Sequence, residues 1–125
     1  MPENISHLRQ RLWRLHGSLT RLLRTMTSQG PLTPGSFYRL RRKCGKPSCR
    51  CARGQLHAAW VLTRSENGKH KLYTVPPAQR ALVRQRAAAW RRYQRARARF
   101  VQQVTSLLAL ADQIAQTQRL DWPPP

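Results

Sequence analysis

The stretch Cys44-Gly-Lys-Pro-Ser-Cys49-Arg-Cys51-Ala-Arg-Gly-Gln-Leu-His57 constrains this chain more than any other. It holds all three cysteines, with four residues between the first two, one between the next two, and five before His57. The region around it has too little apolar material to close a conventional core, so something else must fix it. Three thiolates and one imidazole complete a tetrahedral shell for zinc, a metal that favours sulfur and nitrogen ligands. Gly45 and Gly54 stand where a loop folded round an ion needs unusual dihedrals, and Lys46-Pro47-Ser48 reads as a turn. The plainer reading is three small idle thiols. A disulfide would leave one cysteine over, and nothing else in the chain suggests secretion. Three cysteines within eight residues, followed by a histidine within reach, favour a structural zinc site made by Cys44, Cys49, Cys51 and His57. Four protein ligands leave no open position for water, which argues against catalytic zinc.

Charge sets the second constraint. The 125 residues carry 24 Lys+Arg against 4 Asp+Glu, a net charge of +20, and 20 of the 24 cations are arginine. Such a balance repels itself and calls for a polyanion. Arginine is the side chain for forked contacts to phosphate. Nucleic acid is therefore the first candidate partner and an anionic membrane surface the second. Met1-Pro2-Glu3-Asn4 has no apolar run behind it, so no signal peptide is expected, and no run approaches the roughly 20 apolar residues of a membrane span. A cytoplasmic protein of bacterial type with reduced thiols is expected.

Residues 5–26 carry one apolar seam, Ile5, Leu8, Leu12, Leu15, Leu19, Leu22 and Met26, with gaps alternating three and four. That spacing predicts an N-terminal helix with one stripe against a partner, capped by Asn4 or Ser6. Trp13 falls off the seam. Gln29-Gly-Pro-Leu-Thr-Pro-Gly35 ends the helix, and residues 36–43 read as a strand leading into Cys44. Beyond His57, residues 58–64 and 69–75 flank Asn67-Gly68, a strong hairpin signal. A two-residue turn there pairs Glu66 with Lys69, Leu62 with Tyr73 and Trp60 with Val75. Trp60, Leu62, Tyr73 and Val75 then share a face suited to packing on a helix.

Pro76-Pro77 opens a long second helix that runs to about residue 117. Its apolar positions are Val83, Trp90, Tyr93, Phe100, Val104, Leu107, Ala111 and Ile114, with Val101, Leu108 and Ala115 widening the stripe. Residues 100–115 are expected to pack on the first helix. The tail from Leu120 to Pro125 is extended, with the place of Trp122 left open.

At about 100° per residue, Arg80, Arg84, Arg91, Arg92, Arg95 and Arg99 occupy one arc of the second helix. A solvated face would mix signs, yet no acid occurs between Glu66 and Asp112, so phosphate binding is the stronger reading of this arc. A second basic group, Arg39, Arg41, Arg42, Lys43, Lys46, Arg50 and Arg53, surrounds the cysteine loop. Part of it balances a zinc–thiolate site of net charge −1. Phe37, Tyr38, Trp60 and Tyr73 lie near enough in sequence to stack on unpaired bases, although core packing is the commoner use. The carboxylates Glu3, Glu66, Asp112 and Asp121 are scattered, whereas metal-dependent nucleases and transposases cluster theirs, so no enzyme is expected.

The run Gly35-Ser36, Cys44-Gly45-Lys46, Cys49-Arg50-Cys51, Gly54 and His57, followed by a hairpin and a long helix, resembles a family of small bacterial proteins filed as a domain of unknown function. The resemblance covers roughly residues 35–115. That family usually follows the histidine with Gly-Pro-aromatic, where this chain has Ala58-Ala59 before Trp60. The resemblance implies a mobile-element setting, because such proteins are often encoded near transposases.

These readings predict one α+β domain over residues 1–125. It comprises an N-terminal helix (1–28), a small antiparallel sheet clipped by a Cys3His zinc site (36–75), a long C-terminal helix packed on the first (77–117) and a tail (118–125). The expected function is a non-enzymatic, zinc-containing accessory protein for a transposase or recombinase, binding DNA in preference to RNA and forming a homodimer. The alternatives are a protein–protein adaptor built on the two helices and an RNA-binding component of a ribonucleoprotein.

Overall fold

The structure, a computed structural model describing residues 4–125, runs α1 (Ile5–Thr27), β1 (Ser36–Arg42), a 3-10 turn (Arg50–Arg53), β2 (His57–Glu66), β3 (Lys69–Thr74), a second 3-10 turn (Pro77–Gln79) and α2 (Arg80–Gln118). Among the four acids, Glu3 lies outside the described residues. The chain divides into two compact units, residues 29–91 in one and residues up to Ser28 together with 92–125 in the other. No helix of the described residues is long and apolar enough to cross a membrane.

The helical unit is built on the seam of α1. Asn4 caps the helix, its Oδ1 accepting the backbone N–H of Ser6 at 2.9 Å. Each of the seven seam residues is buried or half-buried, Leu8 and Leu19 most deeply. The chain leaves this unit at Ser28 and re-enters it at Arg92, which brings α1 and the second half of α2 into one unit. On α2, Ala96 and Leu110 are buried and Phe100, Gln103, Leu107 and Ile114 half-buried, a seam with gaps of four, three, four, three and four. Here the structure corrects the sequence. Val101 and Leu108 are 52% and 57% exposed and Ala115 is exposed, so they do not widen the buried stripe. Each lies one residue past a seam position, about 100° round the helix, which is too far to reach a single partner helix. Trp13 and Trp122 also remain exposed.

In the other unit the sheet is antiparallel in the order β1-β2-β3. Asn67 (φ 51°) and Gly68 (φ 78°) form the two-residue turn with both positive angles that such a hairpin needs. The register follows: Glu66 opposes Lys69 and Leu62 opposes Tyr73, and the Val75 N–H donates to the Trp60 carbonyl at 2.8 Å. Leu62, Val75 and Ala87 form the core, joined by Phe37 and Val83, so the beginning of α2 covers one sheet face. Tyr73, on the same face, is 41% exposed; it reaches outward to donate its hydroxyl to Glu66 at 2.8 Å. Pro77 forces Pro76 into an extended conformation (ψ 151°), and a 3-10 turn rather than an α-helical one then leads into α2.

Gly35 fixes the entry to β1. Its φ is +132°, and a Cβ placed there would lie 2.7 Å from the Thr63 carbonyl oxygen and 3.0 Å from a Leu62 methyl. Gly35→Ala is therefore expected to destabilise this unit by about 1–3 kcal/mol, combining backbone strain with a contact that backbone must relieve. Chemical denaturation measures the change. Gly30→Ala, with open space round the Cβ position, should cost less despite a φ of +72°.

Candidate metal centre

β1 and β2 pair to their ends, Arg42 opposite His57, and residues 43–56 form the excursion between them. His57, as the first residue of β2, is anchored by the sheet. Within the excursion, Cys49 N–H donates to the Lys46 carbonyl at 3.1 Å and Ala52 N–H to the Cys49 carbonyl at 3.0 Å, two successive tight turns. The 3-10 turn that follows buries Cys51, which is 1% exposed. Gly54 ends it in the left-handed conformation (φ 101°), where a residue with a Cβ would be strained, and its N–H returns to the Arg50 and Cys51 carbonyls.

This folding brings the four predicted ligands together. The Sγ atoms of Cys44, Cys49 and Cys51 and a ring nitrogen of His57 all lie within 4.8 Å of one another. Cys44 Sγ and Cys51 Sγ are 3.4 Å apart, and Cys49 Sγ and His57 Nε2 are 3.1 Å apart. Tetrahedral zinc with Zn–S bonds of about 2.3 Å has ligand–ligand edges of about 3.7 Å, so the cluster matches the size of a four-coordinate site. The Cys44 N–H also donates to Cys51 Sγ at 3.3 Å, the backbone support that a thiolate ligand uses to spread its charge. No disulfide links the three cysteines. The donor set can hold a metal ion.

The basic residues round the loop, Arg39, Arg41, Arg42, Lys43, Lys46, Arg50 and Arg53, are all exposed. On α2, Arg84, Arg91, Arg92, Arg95 and Arg99 are exposed and Arg80 is half-buried, its Nε buried without a hydrogen-bond partner. Sequence reasoning missed the position of Arg84. Its guanidinium lies over the Trp60 ring at 5.1 Å and the Phe37 ring at 5.5 Å, and those two rings stack at 5.1 Å. The face of this aromatic pair is thus covered by an arginine of the same unit rather than offered to bases. The spacing from Pro76-Pro77 to Arg84, two turns into a helix that must cross the sheet, was the available signal.

The remaining acids stay apart. Glu66 accepts from Tyr73 and from Arg64 Nε at 2.6 Å, and these two donors hold its carboxyl below the usual carboxylate range. Asp121 pairs with Arg119 at 2.6 Å, and Asp112 is exposed on α2.

A basic α+β chain with a Cys3His cluster at the end of a three-stranded sheet is the class that these features define. The model of a domain of unknown function (DUF6788) matches residues 5–85, and the chain belongs to that family. The match takes in α1, the sheet and the opening of α2, so it reaches further toward the N-terminus than the cysteine motif and stops short of the helical seam at 100–115. No curated protein and no solved structure matches the chain.

Proposed function

We propose that this protein is a non-enzymatic nucleic-acid-binding accessory protein whose Cys44, Cys49, Cys51 and His57 hold a structural zinc ion. The observation that carries the reading is the exposure of one sign of charge. All thirteen basic residues of the arc on α2 and of the cysteine loop except Arg80 are exposed, and neither the Arg64–Glu66 nor the Arg119–Asp121 ion pair uses any of them. A zinc held by three thiolates and a neutral imidazole is net −1, which the loop's own cations exceed. The surplus suits a phosphate backbone.

Zinc is the metal of choice because tetrahedral sulfur-rich sets select it and the ion has no redox demands. When bound it supplies folding energy to residues 43–56, and Cys44, Cys49, Cys51 and His57 do the holding. The exposed cations then act from a fixed loop rather than a floppy one. DNA is taken ahead of RNA because the arginines from Arg80 to Arg99 recur along residues 80–99 of α2, enough to meet several phosphates of a duplex. The mobile-element setting implied by the resemblance makes a transposase or recombinase the class of protein partner.

The test is to purify the protein without nuclease and identify what accompanies it. Nuclease-sensitive DNA should co-purify, and equal-length duplex DNA should compete more strongly than single-stranded DNA or RNA. Preferential displacement by RNA would move the reading to the ribonucleoprotein alternative. A nucleic-acid-free protein indifferent to all three would end it.

A further inference from the structure

α2 carries a second stripe on the flank that α1 leaves open. Arg97, Val101, Val104, Leu108 and Asp112 recur at intervals of four, three, four and four, roughly 100° round the helix from the buried seam. Val101 and Leu108 are more than half exposed, Val104 is half-buried at the border, and Arg97 and Asp112 at the ends are exposed. Asp112 is the only acid of the 39-residue helix. Neither it nor Arg97 has an opposite charge three or four places away, and neither takes part in an ion pair among the described residues.

The ends of this stripe are opposite in charge and its middle is apolar, so it is complementary to itself when reversed. We propose that the flank is a homodimer contact in which two copies of α2 cross antiparallel about a two-fold axis between Val104 and Thr105. That register sets Val101 against the partner's Leu108 and Arg97 against the partner's Asp112, each pair occurring twice, as an isologous contact requires. A parallel arrangement would set arginine on arginine and aspartate on aspartate. The stripe is about 23 Å long at 1.5 Å per residue. An antiparallel helix pair buries one side of each helix only; two such pairs laid together give the four-helix arrangement that covers a second side. This inference does not depend on the nucleic-acid reading.

Charge exchange tests it. Full-length protein freed of nucleic acid by nuclease and salt is examined by sedimentation equilibrium across the micromolar range at moderate ionic strength, with helix content checked by circular dichroism. Wild type should show the mass of two chains. Arg97→Glu and Asp112→Arg should each weaken self-association at least tenfold, because each makes both contacts like-charged. Mixing these two variants should restore the two-chain mass as a heterodimer, since each then offers the other the opposite charge at both contacts. Leu108→Glu, at an exposed position, should give single chains with unchanged helix content. A single-chain mass for wild type throughout the range overturns the proposal, whether or not another protein occupies the flank. So does a dimer that ignores all three substitutions, or a mixture that fails to associate.

Discussion

Cys51→Ser is expected to release the metal and unfold residues 43–56 while leaving the β2–β3 hairpin and both helices in place. Cys51 is the most buried of the four candidate ligands and the acceptor of the Cys44 N–H, so no other residue substitutes for it. Changing a supporting partner of a metal ligand already costs about 10–100-fold in affinity, and loss of the ligand itself should exceed that. Structural zinc contributes about 10–16 kcal/mol of apparent binding free energy in small fingers, far more than the turns of this loop supply unaided. Elemental analysis of protein purified without added metal should find about one zinc per wild-type chain and little in the variant. Limited proteolysis with trypsin should cut the variant after Lys43, Arg50 or Arg53, positions protected in wild type. The hairpin should survive, because its core of Leu62, Val75 and Ala87 is built without loop residues. Equal metal content and equal protection in the two proteins would remove the metal centre from this account.

The second large effect concerns the arc on α2. Replacing Arg80, Arg84, Arg91, Arg92, Arg95 and Arg99 together by alanine should abolish binding to duplex DNA at moderate salt. Among single changes, Arg91→Ala, Arg95→Ala and Arg99→Ala should each weaken binding to every sequence alike and reduce the salt slope by about one. Arg84→Ala should behave differently. It also uncovers the stacked Trp60 and Phe37 rings, and a cation over an aromatic face is worth about 0.5–2 kcal/mol, so its thermal midpoint should fall as well. Arg97→Ala should leave binding by a single chain nearly intact, because it lies on the flank away from the arc. Fluorescence anisotropy with a labelled duplex, paired with thermal melts, separates these outcomes. Uniform behaviour of all six residues would contradict the position assigned to Arg84.

The elements were legible in the sequence where one local rule governs them. The seven seam residues of α1 could be read because strict three-four spacing admits one helix face only. Asn67-Gly68 set the hairpin register because both residues tolerate positive φ and a two-residue turn leaves no slack. The ligand cluster could be read because four metal-binding side chains in fourteen residues have few other uses. What escaped the sequence depends on which neighbour arrives. Val101 and Leu108 look like core beside Val104 and Leu107, and only the presence of a single partner helix leaves them outside. Ala96 and Leu110 complete that seam, but a lone alanine among arginines gives no signal of its own. Arg84 reads as one more member of a charged arc, although the sheet places two aromatic rings beneath it. Tyr73 was expected to pack inward, and its hydroxyl instead finds Glu66 two strand positions beyond the hairpin's apolar patch.

The central claim is that phosphate neutralisation by this chain's arginines drives its binding. It is tested most directly by the salt dependence of wild-type affinity for duplex DNA. If the six arginines of the arc engage phosphates, the logarithm of the binding constant should fall against the logarithm of salt concentration with a slope of about −5. The six-fold alanine variant, with zinc content and helicity unchanged, should lose most of that slope. A wild-type slope near zero, or equal affinities for wild type and variant at every salt concentration, would contradict the account.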